Sequence, residues 1–137
     1  MEHLKERYEK MPLLSKSKYI LGLQCPKYLW IAVNEKEKIP EVDDGTQHRF
    51  NQGHLVGELA KKLYPKAIDV PKDDFTENIE KTKELIPKRK TLFEAGILAD
   101  NIYSRADVLK PVGKGEWDII EVNELTIDSL TSTNNIT

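Results

Sequence analysis

Three carboxylates in the second half of the chain, Glu94, Asp107 and Glu121, have the spacing that could do chemistry. Residues 91–123, TLFEAGILADNIYSRADVLKPVGKGEWDIIEVN, alternate apolar and polar residues between turn-forming clusters, a strand pattern. They predict a three-stranded meander over 91–98, 102–109 and 117–122, with turns at Ala99-Asp100-Asn101 and Val112-Gly113-Lys114-Gly115. If the second hairpin pivots about Lys114, Asp107 and Glu121 are equally far from the pivot and stand opposite each other. A first hairpin turning at Asp100-Asn101 adds Glu94 to the same row. Directly opposed residues have Cβ atoms only about 5 Å apart, so like charges there repel unless a cation lies between them. A divalent ion held by both Asp107 and Glu121 is the economical answer. Residues two apart on a strand share a face, which puts Asn123 beside Glu121 and Arg105 beside Asp107.

The elements that must position this row read mostly as helices. Ser15 is a good N-cap, and SKSKYILGLQ after it places Tyr19, Ile20 and Leu23 as one side of a short amphipathic helix. Pro26 stops that helix and opens a second over 26–33 with Leu29 and Trp30, leaving Cys25 at the corner. A polar loop over 35–45 leads to a helix over 46–64 with Val56, Leu59, Ala60 and Leu63 on one stripe. His54 and Glu58 lie four apart beside that stripe, so they either reach one site together or form a partly exposed pair. Residues 67–70 read as either a short strand or merely extended chain before Pro71, and a helix beginning at Asp74 or Thr76 turns Phe75, Ile79, Thr82 and Ile86 inward. The basic knot Lys88-Arg89-Lys90 reads either as a phosphate contact or as a solvated turn.

With 137 residues, 39% hydrophobic and 32% charged, the chain fits one soluble globular domain. A net charge of −2 excludes a global pull towards nucleic acid, so any such contact must be local. Residues 1–40 carry eight Lys and Arg against five Asp and Glu, and 41–80 carry five against nine, a mild N-terminal basic bias. No apolar run approaches the ~20 residues a bilayer span needs, and the polar start is unlike a signal peptide. A single cysteine makes no internal disulfide. Together these point to a cytoplasmic protein with no membrane partner.

The order and spacing of these features resemble the PD-(D/E)XK nuclease superfamily, in its RecB-like branch related to CRISPR-adaptation nucleases. The acidic pair of that family matches Asp107 in Arg105-Ala106-Asp107 and Glu121 in Glu121-Val122-Asn123. Its helical histidine ligand matches His54 in QGHLVGE, and LSKS with GLQCPKYLW, from Leu14 on, is similar to the opening of uncharacterised RecB-like proteins. The resemblance covers most of residues 14–123 and implies an α+β, restriction-endonuclease-like core with N-terminal helices on a mostly antiparallel meander. It implies DNA as substrate and Mg²⁺ or Mn²⁺ as cofactor, with Asp107, Glu121, the Val122 carbonyl and His54 around the metal. Glu58, Glu94, Arg105 and Lys114 are additional candidates.

Two departures shape the expectation. The family's lysine, which orients water and stabilises developing charge, is the neutral Asn123, so catalysis is expected to be impaired unless Lys110, Lys114 or another lysine reaches the spot. Cys25 matches a cysteine that in related families joins a C-terminal cluster around an iron–sulfur centre. That cluster has no counterpart here, so no iron–sulfur centre is expected and Cys25 should pack as a small buried hydrophobe. The implied organisation is an arm over 1–13, the nuclease-type domain over 14–123, and an irregular tail over 124–137 where relatives continue with a helix and a fourth strand. An incomplete core exposes a sheet edge, through which, or through the tail, a homodimer would form. Two other readings stand beside the nuclease: a non-catalytic remnant that binds nucleic acid or protein, and an unrelated α+β domain whose acidic row is a solvated face.

Overall fold

The computed structural model describes residues 13–41 and 43–123, together with His3, Glu6 and Arg7. The rest of the expected arm and the whole expected tail lie outside the described residues. Ser15 caps α1 (Lys16–Gln24) by accepting the Lys18 N–H, and Pro26 opens α2 (Pro26–Asn34) where its missing N–H costs nothing. The two helices cross at Gly22, where a Cβ would come within 2.9 Å of Leu29 Cδ2. Neither helix contains a buried residue, and Tyr19, Ile20 and Leu23, expected to form an inner face, are exposed. Cys25 is exposed too, against expectation: where two helices bury little, the corner between them stays wet.

The remaining helices follow their caps. Asp43 accepts the Thr46 N–H at 2.7 Å and starts α3 (Asp44–Leu63) two residues before the apolar stripe suggested. Asp74 accepts the Glu77 N–H at 3.0 Å at the start of α4 (Phe75–Leu85), and a 3₁₀ turn over Ile86–Lys88 takes in Pro87.

The sheet has the expected meander, β3 (Leu92–Ala99), β4 (Ile102–Val112) and β5 (Glu116–Ile120), all antiparallel. Two strands of two residues extend it: β1 (Leu14–Ser15) runs parallel to β4, and β2 (Ile68–Asp69) parallel to β3. The architecture is therefore α+β with a mixed, five-stranded sheet of order β1-β4-β3-β2, with β5 also on β4. Asp100 and Asn101, both with positive φ, make the two-residue β3–β4 loop, and Gly113 and Gly115 flank Lys114 in the β4–β5 turn. α4 packs on β3 over a core of Val70, Leu85, Leu92, Ala95, Ala106 and Leu109. None of the described helices is long and apolar enough to cross a membrane.

The central strand β4 has one edge occupied by a single partner and the other divided between two. β3 covers the first edge from Ile102 to Leu109, so β1 and β5 must share the second. β1 takes Ile102 and Tyr103, and β5 takes Val108 to Val112. Residues 104–107 lie in the fork between them, with the chain leaving β1 at Lys16 and leaving β5 at Glu121.

Candidate functional site

Both hairpin registers run up to the acidic row. The pairs Val112↔Glu116 to Val108↔Ile120 are those of a hairpin pivoting on Lys114, and continuing that register one step past the end of β5 would set Asp107 opposite Glu121. Across the other edge, Ala95↔Ala106 and Phe93↔Val108 bracket Glu94 and Asp107. Glu121 itself lies just past β5, yet the next residue is tied in: the Val122 N–H donates to Asp107 Oδ2 at 2.8 Å.

At Glu94 the strand is distorted. Its φ of +57 lies in the left-handed region, which costs a non-glycine residue about 1–2 kcal/mol. Regular strand alternation would send Phe93 and Glu94 to opposite faces, but both line the same cavity. Buried Asn78 holds the distortion in place. Its Nδ2 donates to the carbonyls of Pro71 (2.7 Å) and Glu94 (2.9 Å), and its Oδ1 accepts from the Tyr103 hydroxyl at 3.0 Å. Thr82 adds a second tie, donating to the Asn78 carbonyl and accepting the Gly96 N–H. A Cβ at Gly96 would sit 1.8 Å from Asn78 Oδ1, so only glycine lets α4 come this close. Burial pushes the Tyr103 phenol above its ordinary pKa, against the opposing pull of Arg105.

The cavity, about 100 Å³, lies between the row and α3 and is lined by Gly53, Gly57, Ala60, Lys61, Phe93, Glu94, Asp107 and Val122. α3 thus presents three small residues, Gly53, Gly57 and Ala60, together with Lys61 to this cavity. His54 and Glu58, next to those glycines in sequence, are exposed and outside the lining; Glu58 pairs with Lys61 at 3.1 Å. Asp107 also lines a polar pocket in the fork, of about 280 Å³, together with Ser15, Lys16, Ser17, Tyr103, Ser104 and Arg105. A pocket of about 430 Å³ lined by residues 63–67, 89–91 and Pro111 touches none of the three carboxylates.

The repulsion foreseen within the row is met by the protein's own cations. Arg105 Nε lies 2.7 Å from Glu94 Oε2, Lys72 Nζ 3.3 Å from Glu94 Oε1, and Lys16 Nζ 2.5 Å from Glu121 Oε1. Among the described residues, no three His, Cys, Asp or Glu side chains stand close enough together as placed to hold a metal ion. Arg105, expected on the Asp107 face, does line a pocket with Asp107. Asn123 is exposed, just past β5. Lys114 is at the far end of the hairpin, about 24 Å from Asp107 at ~3.4 Å per strand residue, too far to serve the row.

Sequence reasoning passed over Lys16, Lys72 and Asn78, and it missed the structural role of Arg89. Within the basic turn Lys88 and Lys90 are exposed, but Arg89 is half-buried. Its guanidinium donates to the carbonyls of Val112, Gly113 and Glu116 and stacks 4.7 Å from the Trp117 ring, clamping the β4–β5 turn. A polar residue within the inward face of α4 was the available signal for Asn78. For Lys16 there was none, because its partner is distant in sequence.

No protein-family model matches the chain, and neither the curated proteins nor the solved structures hold a match to it.

Proposed function

We propose that the chain carries a metal-dependent phosphodiesterase site of the nuclease type, acting on DNA, on a restriction-endonuclease-like core. The observation that carries this reading is the placement of Glu94, Asp107 and Glu121 at neighbouring register positions of the meander, with Glu94 and Asp107 lining a glycine-containing cavity and Asp107 also lining a polar pocket. The donors suit a hard cation: all are carboxylate oxygens, and side-chain ammonium and guanidinium groups now compensate them. Asp107 and Glu121 are the assigned ligands, with Glu94 and the Val122 carbonyl in support; His54 stands outside the set. Mg²⁺ or Mn²⁺ bound there supplies Lewis-acid neutralisation of the phosphate.

The chain's own groups do the rest. The Val122 N–H fixes the Asp107 carboxylate, Asn78 holds Glu94 in its left-handed conformation, and Gly53 and Gly57 leave room over the row. With a net charge of −2 the chain offers DNA no global attraction, so Lys16 and Arg105 in the fork are the groups that would receive a phosphate.

The test is Mn²⁺ calorimetry combined with degradation of linear single- and double-stranded DNA, comparing the parent with Asp107→Asn. Binding and cutting that are both lost in the variant support the reading. Binding lost with the carboxylate, but no cutting by either protein, points to a non-catalytic remnant. No metal binding at all leaves an α+β domain with a solvated acidic face.

A further inference from the structure

We infer that Lys16, delivered from the start of α1, is the catalytic cation of the proposed hydrolysis; the inference rests on that reading of the site. Phosphodiester hydrolysis forms one P–O bond from water and breaks one P–O ester bond. The water's proton leaves to solvent and the departing oxygen takes one up, with no change of oxidation state. The five-coordinate phosphorus centre carries one more negative charge than the substrate, so a fixed cation beside it speeds the reaction. Position 123, two residues beyond Glu121, holds a neutral asparagine, so this charge must come from elsewhere.

The structure narrows the choice. Lys114 is too far up the hairpin, and Lys110 sits opposite Asp118, three residues beyond Asp107 on β4. Lys61 lines the cavity, but its ammonium is held by Asp69 at 2.5 Å and by Glu58 at 3.1 Å, which raise its pKa. Lys72 lies on the carboxylate of Glu94 and lines neither pocket that contains Asp107, and Arg105, which shares the fork pocket with Lys16, is paired through Nε with Glu94 rather than with the assigned ligand Glu121. Lys16 lies on Glu121 and also lines the pocket that contains Asp107, in company with the hydroxyls of Ser15 and Ser17. It arrives there because β1 and β5 end facing each other across the fork, which places side chains 105 residues apart in contact. Its side chain is about half exposed, 47%, on a flexible four-carbon stem, so it can leave Glu121 for a phosphate in the adjoining pocket without disturbing the core.

This arrangement makes a prediction that a purely structural lysine does not. On Glu121, the ammonium competes with a divalent ion for the same carboxylate. Removing it should therefore tighten metal binding while slowing turnover. In Lys16→Met, cutting of linear DNA in Mn²⁺ is expected to fall by about 10²–10³-fold, the effect of losing one preorganised charge-stabilising group. Mn²⁺ affinity, read by calorimetry, should stay level or rise by up to about five-fold, the worth of one exposed ion pair. Lys16→Arg, which keeps the charge, should recover a substantial part of the rate. If Lys16→Met cuts like the parent while Asp107→Asn is inert, the inference fails and the site reading survives. A parent that binds Mn²⁺ through Asp107 but cuts only after Asn123→Lys also overturns the inference, since the cation is then missing. A parent that neither binds Mn²⁺ nor cuts brings down the reading and the inference with it.

Discussion

Asn78→Ala tests whether a buried amide holds the acidic row in shape. Asn78 has no exposed surface, and its side chain makes three hydrogen bonds, two to carbonyls and one from a hydroxyl. Each such bond is worth about 0.5–1.5 kcal/mol net, and a buried group left without a partner costs about 1–3 kcal/mol. Truncation leaves the carbonyls of Pro71 and Glu94 and the Tyr103 hydroxyl to find water, so about 3–5 kcal/mol is at stake. Alanine's better helix propensity returns about 0.5 kcal/mol, too little to change the sign. A net loss of about 2–4 kcal/mol is expected from urea unfolding followed by tryptophan fluorescence, a large share of the ~5–15 kcal/mol typical of a domain. Mn²⁺ affinity should fall in the same variant, because Glu94 is then free to leave its left-handed conformation. Gly96→Ala attacks the same contact from the sheet side and should cost at least as much, since its Cβ meets Asn78 Oδ1 at 1.8 Å. Tyr103→Phe alone removes one bond, and the double variant with Asn78→Ala should cost less than the two singles together. An Asn78→Ala protein within about 0.5 kcal/mol of the parent would refute the reasoning, since surface changes alone stay in that range.

Arg89→Ala should destabilise by about 1–3 kcal/mol through loss of its carbonyl bonds and its stack on Trp117, and Arg89→Lys should recover little, because an ammonium cannot reproduce the fork; equal melting curves for the lysine variant and the parent would contradict this. Tyr103 gives a pH signature. Its folded pKa is raised above 10.0 by burial, so its contribution is fully present below that pH and is lost as pH rises through the folded value. As pH rises above 10.0, unfolding midpoints should therefore decline more steeply for the parent than for Tyr103→Phe, and identical slopes would remove Tyr103 from the account. β5 has no strand on its outer edge among the described residues, where Ile119 is 63% exposed, so sedimentation equilibrium should find a concentration-dependent dimer of the full chain; a monomer at all concentrations would set that aside.

What was legible in the sequence was local. Turn chemistry at Asp100-Asn101 and at Gly113-Lys114-Gly115 fixed both pivots, and counting from a pivot fixes a register, so the row of Glu94, Asp107 and Glu121 followed by arithmetic. Caps at Ser15 and Asp74 and the stop at Pro65 bounded helices within a residue or two. What stayed hidden was non-local or too short to leave a pattern. β1 has two residues, and only its parallel pairing with the distant β4 makes it a strand at all, whereas β2, equally short, falls within the stretch 67–70 that read as either a short strand or extended chain. The exposure of Tyr19, Leu23 and Cys25 was hidden for a related reason: amphipathic spacing says which side of a helix is apolar, not whether anything covers it.

The fork in the sheet explains why the site could be half read. The carboxylates belong to hairpins, whose geometry a sequence encodes within a few residues. The cations that answer them come from outside the hairpins, from α1 and from the loop before α4, except for Arg105. An acidic row seen in isolation therefore demands a metal. Seen with its neighbours it is already compensated at Glu94 and Glu121, and removing either carboxylate would strand a cation as well as relieve repulsion. Carboxylate-to-alanine changes in the metal-free protein should then be close to neutral in stability rather than stabilising, because these partly exposed ion pairs are individually worth only about 0–1 kcal/mol. Asp107 is the exception: among the described residues it is in no ion pair and instead accepts the Val122 N–H, so Asp107→Ala also releases the end of β5, whereas Asp107→Asn keeps an acceptor there.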